Sequence, residues 1–299
     1  MSLLNNMNIT VSILCYNYGR YLNQAIDSAL SQEIEHDDNL EVIVIDDGST
    51  DETPQICAEY GKKIKTFRSQ NQGFAASLTK SILNASGEYV LLLDADDYFA
   101  PNKLKNIRQH IKNNKLYIDH DQWFVNETGD ILPGIHHGGN TSTICIHRAS
   151  ALPLLPIENE VALQTLWRAG QGVRLSEPLG YYRQHQASMT NRKQPGAQND
   201  YLAGVHHRLA AQLNSLATLP VWLTDWRALR AIVQEYAAMG YYCELEAALE
   251  RRQPVVAYKA CARMVIAARR SRLGLTLFTA KMIVKTLLMR PSFPKVGHP

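Results

Sequence analysis

Four short apolar runs alternate with helical patterns in the first third of the sequence, and this alternation limits the possible folds most strongly. The runs cover residues 9–14, 42–45, 64–68 and 89–93, and the helical patterns cover about 22–30, 50–60 and 75–83. Runs that are apolar on both faces are typical of parallel strands covered by helices on each side. The sequence therefore predicts an α/β fold with a Rossmann-like, mostly parallel sheet and helices on both faces.

The rest of the chain is predicted in two parts. Strands are expected near Tyr117, around Ile144 and at 181–183, with a helix from about Asn159 to Ala169. Residues 190–200 are polar and rich in helix breakers, which indicates a linker. Helical patterns follow to about residue 289. We therefore expect a sheet domain at 8–195 and a helical, basic C-terminal region at 196–299.

Composition excludes several classes of protein. Of the 299 residues, 45% are apolar and 20% are charged, which is ordinary for a globular protein with a sizeable core. The sequence has no run of 18 apolar residues, so no membrane-spanning helix is predicted. The first residues lack the features of a secretory signal. The five cysteines are scattered without a CxxC spacing, so neither a disulfide framework nor a zinc site is indicated and a cytoplasmic location is expected.

Charge is distributed unevenly along the chain. Residues 1–200 carry 17 Lys or Arg against 23 Asp or Glu, residues 201–299 carry 14 against 5, and no acidic residue follows Arg251. An apolar helical face between Leu273 and Leu287 is flanked by basic residues, so this helix is expected to lie on the inner face of the cell membrane. Packing of the helix on the protein is the alternative. No nucleic-acid motif accompanies the charge, so no nucleic-acid partner is expected.

Acidic residues gather where two of the predicted strands end. Asp46 and Asp47 follow the second run, and Asp94, Asp96 and Asp97 follow the fourth. Ligands of parallel sheets bind beyond the carboxyl ends of the strands, and closely spaced carboxylates repel one another unless a cation or donors neutralise them. Mg²⁺ or Mn²⁺ with a diphosphate fits this pattern. Aspartates that only cap turns and helices are the alternative.

The ordered motifs of the chain resemble those of family 2 glycosyltransferases, inverting enzymes with the GT-A fold that use nucleotide-diphospho sugars. They run in family order from Val11 to His185: VSILCYNYGRYL, VIVIDDGSTD, NQGFAAS, ASGEYVLLLDADD, IENEVALQTLWRAG and EPLGYYRQH. The resemblance implies that residues 8–195 transfer a sugar to a saccharide or lipid-linked acceptor in surface polysaccharide biosynthesis. The implied donor is a nucleotide-diphospho sugar, with a UDP-sugar as the first choice.

The resemblance also implies which residues contact the nucleotide. Tyr16 would stack on the base, since the face of a phenol ring suits that contact. Asp47, with Asp46 in the same turn, would accept from the N–H of a pyrimidine ring. Asp94, the first residue of the DxD motif, would lie near the ribose.

Metal and phosphate contacts are implied at the second acidic turn and further along the chain. Asp96 would bind Mn²⁺ or Mg²⁺, assisted by His185. Arg183 would reach phosphate oxygens, because a guanidinium fork matches them. The helix after NQG lacks the Arg-Asn pair that is frequent in the family and has Leu78-Thr79 instead, which leaves Lys80 as the substitute phosphate contact.

The implied catalytic base falls on an exception to the family pattern. The base is commonly the Asp of a Glu-Asp pair, eleven residues before the glycine that ends the next helix, and counting back from Gly170 gives Asn159. An amide cannot act as a general base, so Glu160 or Glu158 is expected to do so, with Glu160 preferred. The alternative is that both glutamates only complement a helix N-terminus.

The exceptions at Asn159 and Leu78 leave a second function open. It is a non-catalytic nucleotide-sugar-binding scaffold in a membrane-associated assembly. A nucleotidyltransferase, which also uses paired carboxylates and a metal, is a weaker third interpretation because the ordered motifs oppose it.

Overall fold

The strands of this protein form one mixed sheet. The computed structural model describes residues 6–185 and 194–269. Within these ranges the strands are β1 (Asn8–Cys15), β2 (Asn39–Asp46), β3 (Lys65–Arg68), β4 (Tyr89–Asp94), β5 (Tyr98–Phe99), β6 (Tyr117–Val125), β7 (Ile131–His136), β8 (Cys145–His147) and β9 (Gly172–Arg183).

The α-helices vary widely in length, from three residues to 25. Short 3₁₀ turns also occur, of which Thr141–Thr143 and Glu160–Ala162 matter for the site. The α-helices are α1 (Gly19–Leu30), α2 (Thr53–Tyr60), α3 (Phe74–Asn84), α4 (Lys103–Lys112), α5 (Arg148–Ala151), α6 (Gln164–Leu166), α7 (Ala197–Asn214), α8 (Trp226–Glu250) and α9 (Pro254–Arg269).

The order of the strands creates a crevice beside β1. The sheet runs β3-β2-β1-β4-β8-β6-β9-β5, with β7 paired to β6. β1 to β4 are parallel, β6 and β9 form a further parallel pair, and the other pairs are antiparallel. The chain moves outward from β1 to β3 and returns to the other side of β1 with β4. Such a switch point is where ligands bind in open α/β sheets.

The two faces of β1 explain why helices cover both sides of the sheet. Ile9, Val11 and Ile13 point to the face where Leu22 and Ile26 of α1 complete an apolar core. On the opposite face, the Ser12 hydroxyl donates to the Ser81 hydroxyl of α3 over 2.8 Å. Because successive side chains of a strand point to opposite faces, the α/β class with helices on both faces is confirmed.

The predicted helix from Asn159 to Ala169 is not one continuous helix. The Asn159 side chain accepts from the backbone N–H of Val161 and starts a single 3₁₀ turn. The three-residue α6 and a π turn at Trp167–Gln171 follow, and Gly170 ends the segment with φ of +80°. The local hydrogen bond of the asparagine therefore competes with a regular helical start.

The chain divides into two compact units, and the division comes a few residues before the predicted boundary at 195. The first unit is Met1–Ser188 with Pro220–Trp222, and the second is Met189–Leu219 with Leu223–Pro299. In the first unit, the Trp222 indole N–H donates to the Ser150 carbonyl over 3.0 Å.

The second unit is built from α7, α8 and α9. Alanines of α9 pack with Leu245 and Ala248 of α8 in a separate apolar cluster. Across the described ranges, no helix combines the length and the apolar character needed to cross a membrane. The predicted basic helix between Leu273 and Leu287 lies outside the described residues.

Candidate active site

The acidic turn after β4 is built from backbone hydrogen bonds at the switch point. The N–H of Ala95 donates to the Leu14 carbonyl of β1, and the N–H of Asp97 donates to the Asp94 carbonyl. The Asp94 N–H donates to the hydroxyl of Ser142 over 3.0 Å. The turn is therefore fixed to β1 on one side and to the 3₁₀ turn at Thr141–Thr143 on the other.

The end of β9 holds this turn through three contacts. The Arg183 N–H donates to Asp97 Oδ1 over 2.9 Å, and Arg183 Nε donates to the Asp96 carbonyl over 2.8 Å. His185 Nε2 lies 2.8 Å from Asp96 Oδ2. The His185 ring is in turn packed against Tyr18 and Tyr21, with both ring centroids at 5.5 Å. The predicted metal residues Asp96 and His185 are thus in direct contact.

Arg183 is a buried support of the site. Its side chain also donates to the carbonyls of Asn126 and Glu127 and to the Gln24 side chain. The guanidinium lies 4.7 Å from the centroid of the Tyr21 ring, and the residue is 2% exposed. This geometry speaks against the predicted phosphate contact, because the donors are directed at protein oxygens.

Burial changes the acidity of the aspartates that flank Asp96. Burial raises the pKa of Asp94 well above its ordinary value, and the nearby carboxylates of Asp96, Asp97 and Glu160 raise it further. The pKa of Asp97 is also raised, by burial and then by Asp96. A local excess of buried negative charge is the condition under which a bound cation is stabilised.

Asp46 and Asp47 lie in the turn after β2, beside β1. Asp46 is fully buried, accepts from the Ser49 N–H over 2.8 Å and pairs with Arg68 at 3.2 Å. Asp47 accepts from the Gly73 N–H over 2.7 Å at the start of α3. These contacts hold the turn together, and the predicted contacts of both aspartates with the nucleotide remain predictions.

Two further predicted residues flank this turn. Tyr16 follows β1 directly and is 46% exposed, so one phenol surface is open at the strand end. Lys80 donates to the Ser69 hydroxyl over 2.6 Å and lies 4.0 Å from Asp47 Oδ1. In this structure the Lys80 ammonium therefore balances the charge of Asp47, and its predicted phosphate contact remains a prediction.

The candidate base has an unusual environment. Glu160 Oε2 is buried and has no hydrogen-bond partner among the residues that the structure describes. Burial raises the pKa of Glu160 to about 7, whereas the Asn159 amide is engaged in its turn. Glu158 is partly buried two residues earlier. Of the two glutamates, Glu160 therefore has the proton affinity that suits a general base near neutral pH.

Thr79 gives a structural reason for one departure from the family pattern. Its hydroxyl accepts from the N–H of Ile157 over 2.9 Å and lies 3.3 Å from the Ile157 carbonyl. This bond fixes α3 to the segment that carries Glu158 and Glu160. The position that often carries an asparagine in the family thus anchors the candidate base here.

Sequence reasoning missed a buried lysine beneath the site. Lys103 of α4 is fully buried, and its ammonium donates to the Ser142 carbonyl over 3.0 Å. Burial lowers the pKa of Lys103 to about 7. No sequence signal distinguishes this lysine from an exposed one on an amphipathic helix, because the 3₁₀ turn that it supports comes from a distant part of the chain.

The donor set fits a divalent ion only if a substrate completes the coordination shell. Within residues 6–185 and 194–269, no group of three or more His, Cys, Asp or Glu is arranged to hold a metal. Mg²⁺ is commonly held by one or two protein ligands plus substrate phosphates, and two neighbouring ligand atoms at about 2.1 Å from one ion lie about 3 Å apart. Asp96 Oδ2 and His185 Nε2 form a direct hydrogen bond at 2.8 Å, and this separation also equals the spacing of two such ligand atoms.

Sequence comparisons find relatives that each match less than half of the chain. Residues 10–147 match the family model "Glycosyl transferase family 2". A glycosyltransferase of Rickettsia conorii is 35% identical over 138 residues, which are 45% of this chain and 22% of that protein. The minor teichoic acid biosynthesis protein GgaA of Bacillus subtilis is 36% identical over 104 residues, 33% of this chain and 23% of that protein. The chain thus spans less than a quarter of the length of these two relatives.

Solved structures agree on the fold. S. aureus TarS 1–349 in complex with UDP-GlcNAc has a TM-score of 0.64 at 18% identity, covering 95% of this chain and 89% of that one. The mannosyltransferase PcManGT of Pyrobaculum calidifontis, in complex with GDP-Man and Mn²⁺, has a TM-score of 0.53 at 17% identity, covering 96% and 81%. The chain therefore has the GT-A fold, and its residues 10–147 are similar to glycosyltransferase family 2.

Proposed function

We propose that this chain is an inverting, metal-dependent glycosyltransferase that moves a sugar from a UDP-sugar to a saccharide or lipid-linked acceptor in surface polysaccharide biosynthesis. The observation that carries the proposal is the contact of Asp96 with His185 at the switch point of the sheet. Glu160 lies within electrostatic reach of the same turn, through its effect on the pKa of Asp94.

The nucleotide half of the donor is assigned to the turns after β1, β2 and β4. Tyr16 offers an exposed ring for stacking on the base. Asp47 already accepts two backbone N–H groups, but a carboxylate has about four acceptor positions, so one more donor from a pyrimidine can be accommodated. Asp94 is assigned to the ribose.

The diphosphate is assigned to the Asp96–His185 pair. These two side chains would hold Mn²⁺ or Mg²⁺, and the bound ion would neutralise charge that develops on the leaving diphosphate. Arg183 and Ser142 are assigned to holding the acidic turn in place.

The proton transfer is assigned to Glu160. Its Oε2 would take the proton of the acceptor hydroxyl while the acceptor oxygen bonds to the anomeric carbon. The bond between that carbon and the diphosphate oxygen breaks on the opposite face, so the configuration inverts and a nucleoside diphosphate leaves. Partial removal of the Glu160 carboxylate from water supports this role, because it brings the pKa to about 7.

The relatives support the substrate class. TarS was solved with UDP-GlcNAc, and GgaA is a minor teichoic acid biosynthesis protein. The TarS complex supports a UDP-sugar as the donor, and GgaA supports a polymer of the bacterial surface as the setting of this chain's transfer reaction.

Isothermal titration with UDP, with and without Mn²⁺, tests the proposal. We expect Mn²⁺ to tighten UDP binding to the wild-type chain, and Asp96→Ala to abolish that gain. Asp37→Ala, at an exposed aspartate on the α1–β2 connection, is the control and should behave as wild type. An affinity for UDP that changes neither with Mn²⁺ nor with Asp96→Ala contradicts the proposal. Metal-assisted binding without sugar transfer to any acceptor favours the scaffold function.

A further inference from the structure

The second unit exposes an unusual amount of apolar surface on one helix. α9 has 16 residues and exposes four large apolar side chains, with Val255 66% and Ile266 56% exposed and Val256 and Tyr258 also exposed. α7 and α8 have 18 and 25 residues, and together they expose one large apolar side chain, Trp226. The feature therefore belongs to α9 and not to the helices of this unit in general.

Among the residues that the structure describes, the apolar cluster of the second unit does not include these side chains. α9 contacts α8 through the opposite side, where Ala257, Ala260, Cys261 and Met264 are buried in an apolar cluster. Small residues at this spacing let two helices approach closely and complete a helix interface. The exposed apolar side chains are thus additional to the core.

Basic residues occupy the same exposed side of α9. Val255, Lys259 and Ile266 are spaced i, i+4 and i+11, which places them on one helical face. Lys259, Arg263 and Arg269 are all exposed, and no acidic residue occurs anywhere from Arg251 to the end of the sequence. The face therefore combines apolar side chains with positive charge, and α9 itself carries no carboxylate.

We propose that this face of α9 docks on an anionic lipid surface. Helices that lie in a membrane interface bury an apolar face among headgroups and place Lys or Arg against anionic lipid. Tyr258 suits the same environment, since its ring is apolar and its hydroxyl is polar. The inference rests on described residues of the second unit and does not depend on the proposed transferase activity.

Vesicle sedimentation of the full chain tests the proposal. We expect binding to vesicles of phosphatidylcholine mixed with phosphatidylglycerol, weak binding to phosphatidylcholine alone, and a decrease with added salt. The double change Lys259→Glu with Arg263→Glu should weaken binding to the anionic vesicles by roughly tenfold or more. Val255→Ser with Ile266→Ser should weaken it in the same direction at unchanged charge.

The control changes the same charge elsewhere. Lys62→Glu with Lys63→Glu, at exposed lysines of the first unit, should leave vesicle binding close to wild type. The proposal is overturned if the wild-type chain does not bind anionic vesicles, or if both α9 variants bind as tightly as wild type. Light scattering tests whether a second copy of the chain occupies this face instead. The proposal is also overturned if the wild-type chain is a dimer that does not bind vesicles and that Val255→Ser with Ile266→Ser dissociates.

Discussion

Glu160 has two properties that suit a general base at neutral pH: no described residue hydrogen-bonds to its Oε2, and its pKa is raised. The base is active when deprotonated, so the rate of sugar transfer should rise with pH through about 7 and then level off. Glu160→Gln should lower kcat by about 10²–10⁴-fold and remove this rise. A pH profile of UDP release measures both effects.

Glu158→Gln is the matched control for this prediction, since it removes the same charge two residues away. We expect it to keep both the pH profile and most of the activity. If Glu158→Gln abolishes transfer and Glu160→Gln does not, the base has been assigned to the wrong glutamate.

The raised pKa of Glu160 also predicts how stability changes with pH. The pKa moves from 4.5 to about 7 on folding, so between these values the folded state holds a proton that the unfolded state has released. Stability should therefore fall as pH rises through this window, by at most about 3 kcal/mol. Asp94 and Asp97 also have raised pKa values and are present in both proteins, so Glu160→Gln should lack only the part of the fall that comes from Glu160. Urea unfolding at pH 5 and pH 8 compares the two proteins. An equal change in both would contradict the assigned pKa.

Arg183 is the residue whose loss should disturb the acidic turn most. Arg183→Met keeps an unbranched side chain between the rings of Tyr21 and Tyr98 but leaves the carbonyls of Asp96, Asn126 and Glu127 without their donor. We expect a loss of about 3 kcal/mol in the free energy of unfolding and weaker metal-assisted UDP binding. Urea unfolding and calorimetry measure these effects.

Arg20→Met provides the comparison for Arg183, because the exposed Arg20 stacks on the same Tyr21 ring at 4.5 Å. This variant should unfold within about 0.5 kcal/mol of wild type. Equal stability of the two variants would show that the buried arginine does not hold the turn.

Among the connecting elements, the turn after β2 combines a positive φ with a close approach of backbone. Gly48 has φ of +82°, and a Cβ there would lie 2.7 Å from the backbone nitrogen of Asn71. Gly48→Ala should therefore destabilise the protein by about 3 kcal/mol. Gly61 also has positive φ but has no atom within 4 Å of a Cβ, so Gly61→Ala should cost only about 1 kcal/mol. Similar melting temperatures for both variants would contradict this difference.

The helices and strands that are best predicted from sequence are those set by residues close together in the chain. β1 to β4 and the helices between them follow from apolar runs, helical spacing and turn residues that lie close together in the chain. The segment from Asn159 was predicted as one helix, but a side-chain hydrogen bond and Gly170 divide it. β9 begins at Gly172 and not near residue 181, because its pairing with β6 is a non-local interaction.

The same distinction applies to the site. The sequence predicts where strands end, so it could place four aspartates at one edge of the sheet: Asp46, Asp47, Asp94 and Asp96. The role of Arg183 could not be predicted from the sequence. An arginine near a predicted phosphate site looks the same in sequence whether it faces solvent or four protein oxygens. The burial of Lys103 could not be predicted for the same reason.

At the scale of the whole molecule, each of the two units has an apolar cluster of its own among the described residues. The core of the first unit surrounds β1 and β4, and that of the second joins α8 and α9. All residues assigned to the donor belong to the first unit. A ligand that binds only the folded state stabilises the part of the protein that forms its site.

Scanning calorimetry with a panel of nucleotide sugars should therefore shift the unfolding of the first unit selectively. A ligand at about 100 times its Kd adds about 2.7 kcal/mol of stability, so a donor that fits should raise one transition clearly in the presence of Mn²⁺. We expect UDP-sugars to do so more strongly than GDP-mannose, since Asp47 is assigned to a pyrimidine. The Asp96→Ala variant is the control, because it should lose the part of the shift that depends on Mn²⁺. A larger shift with GDP-mannose than with any UDP-sugar would contradict the assigned donor while leaving the fold and the metal pair unaffected.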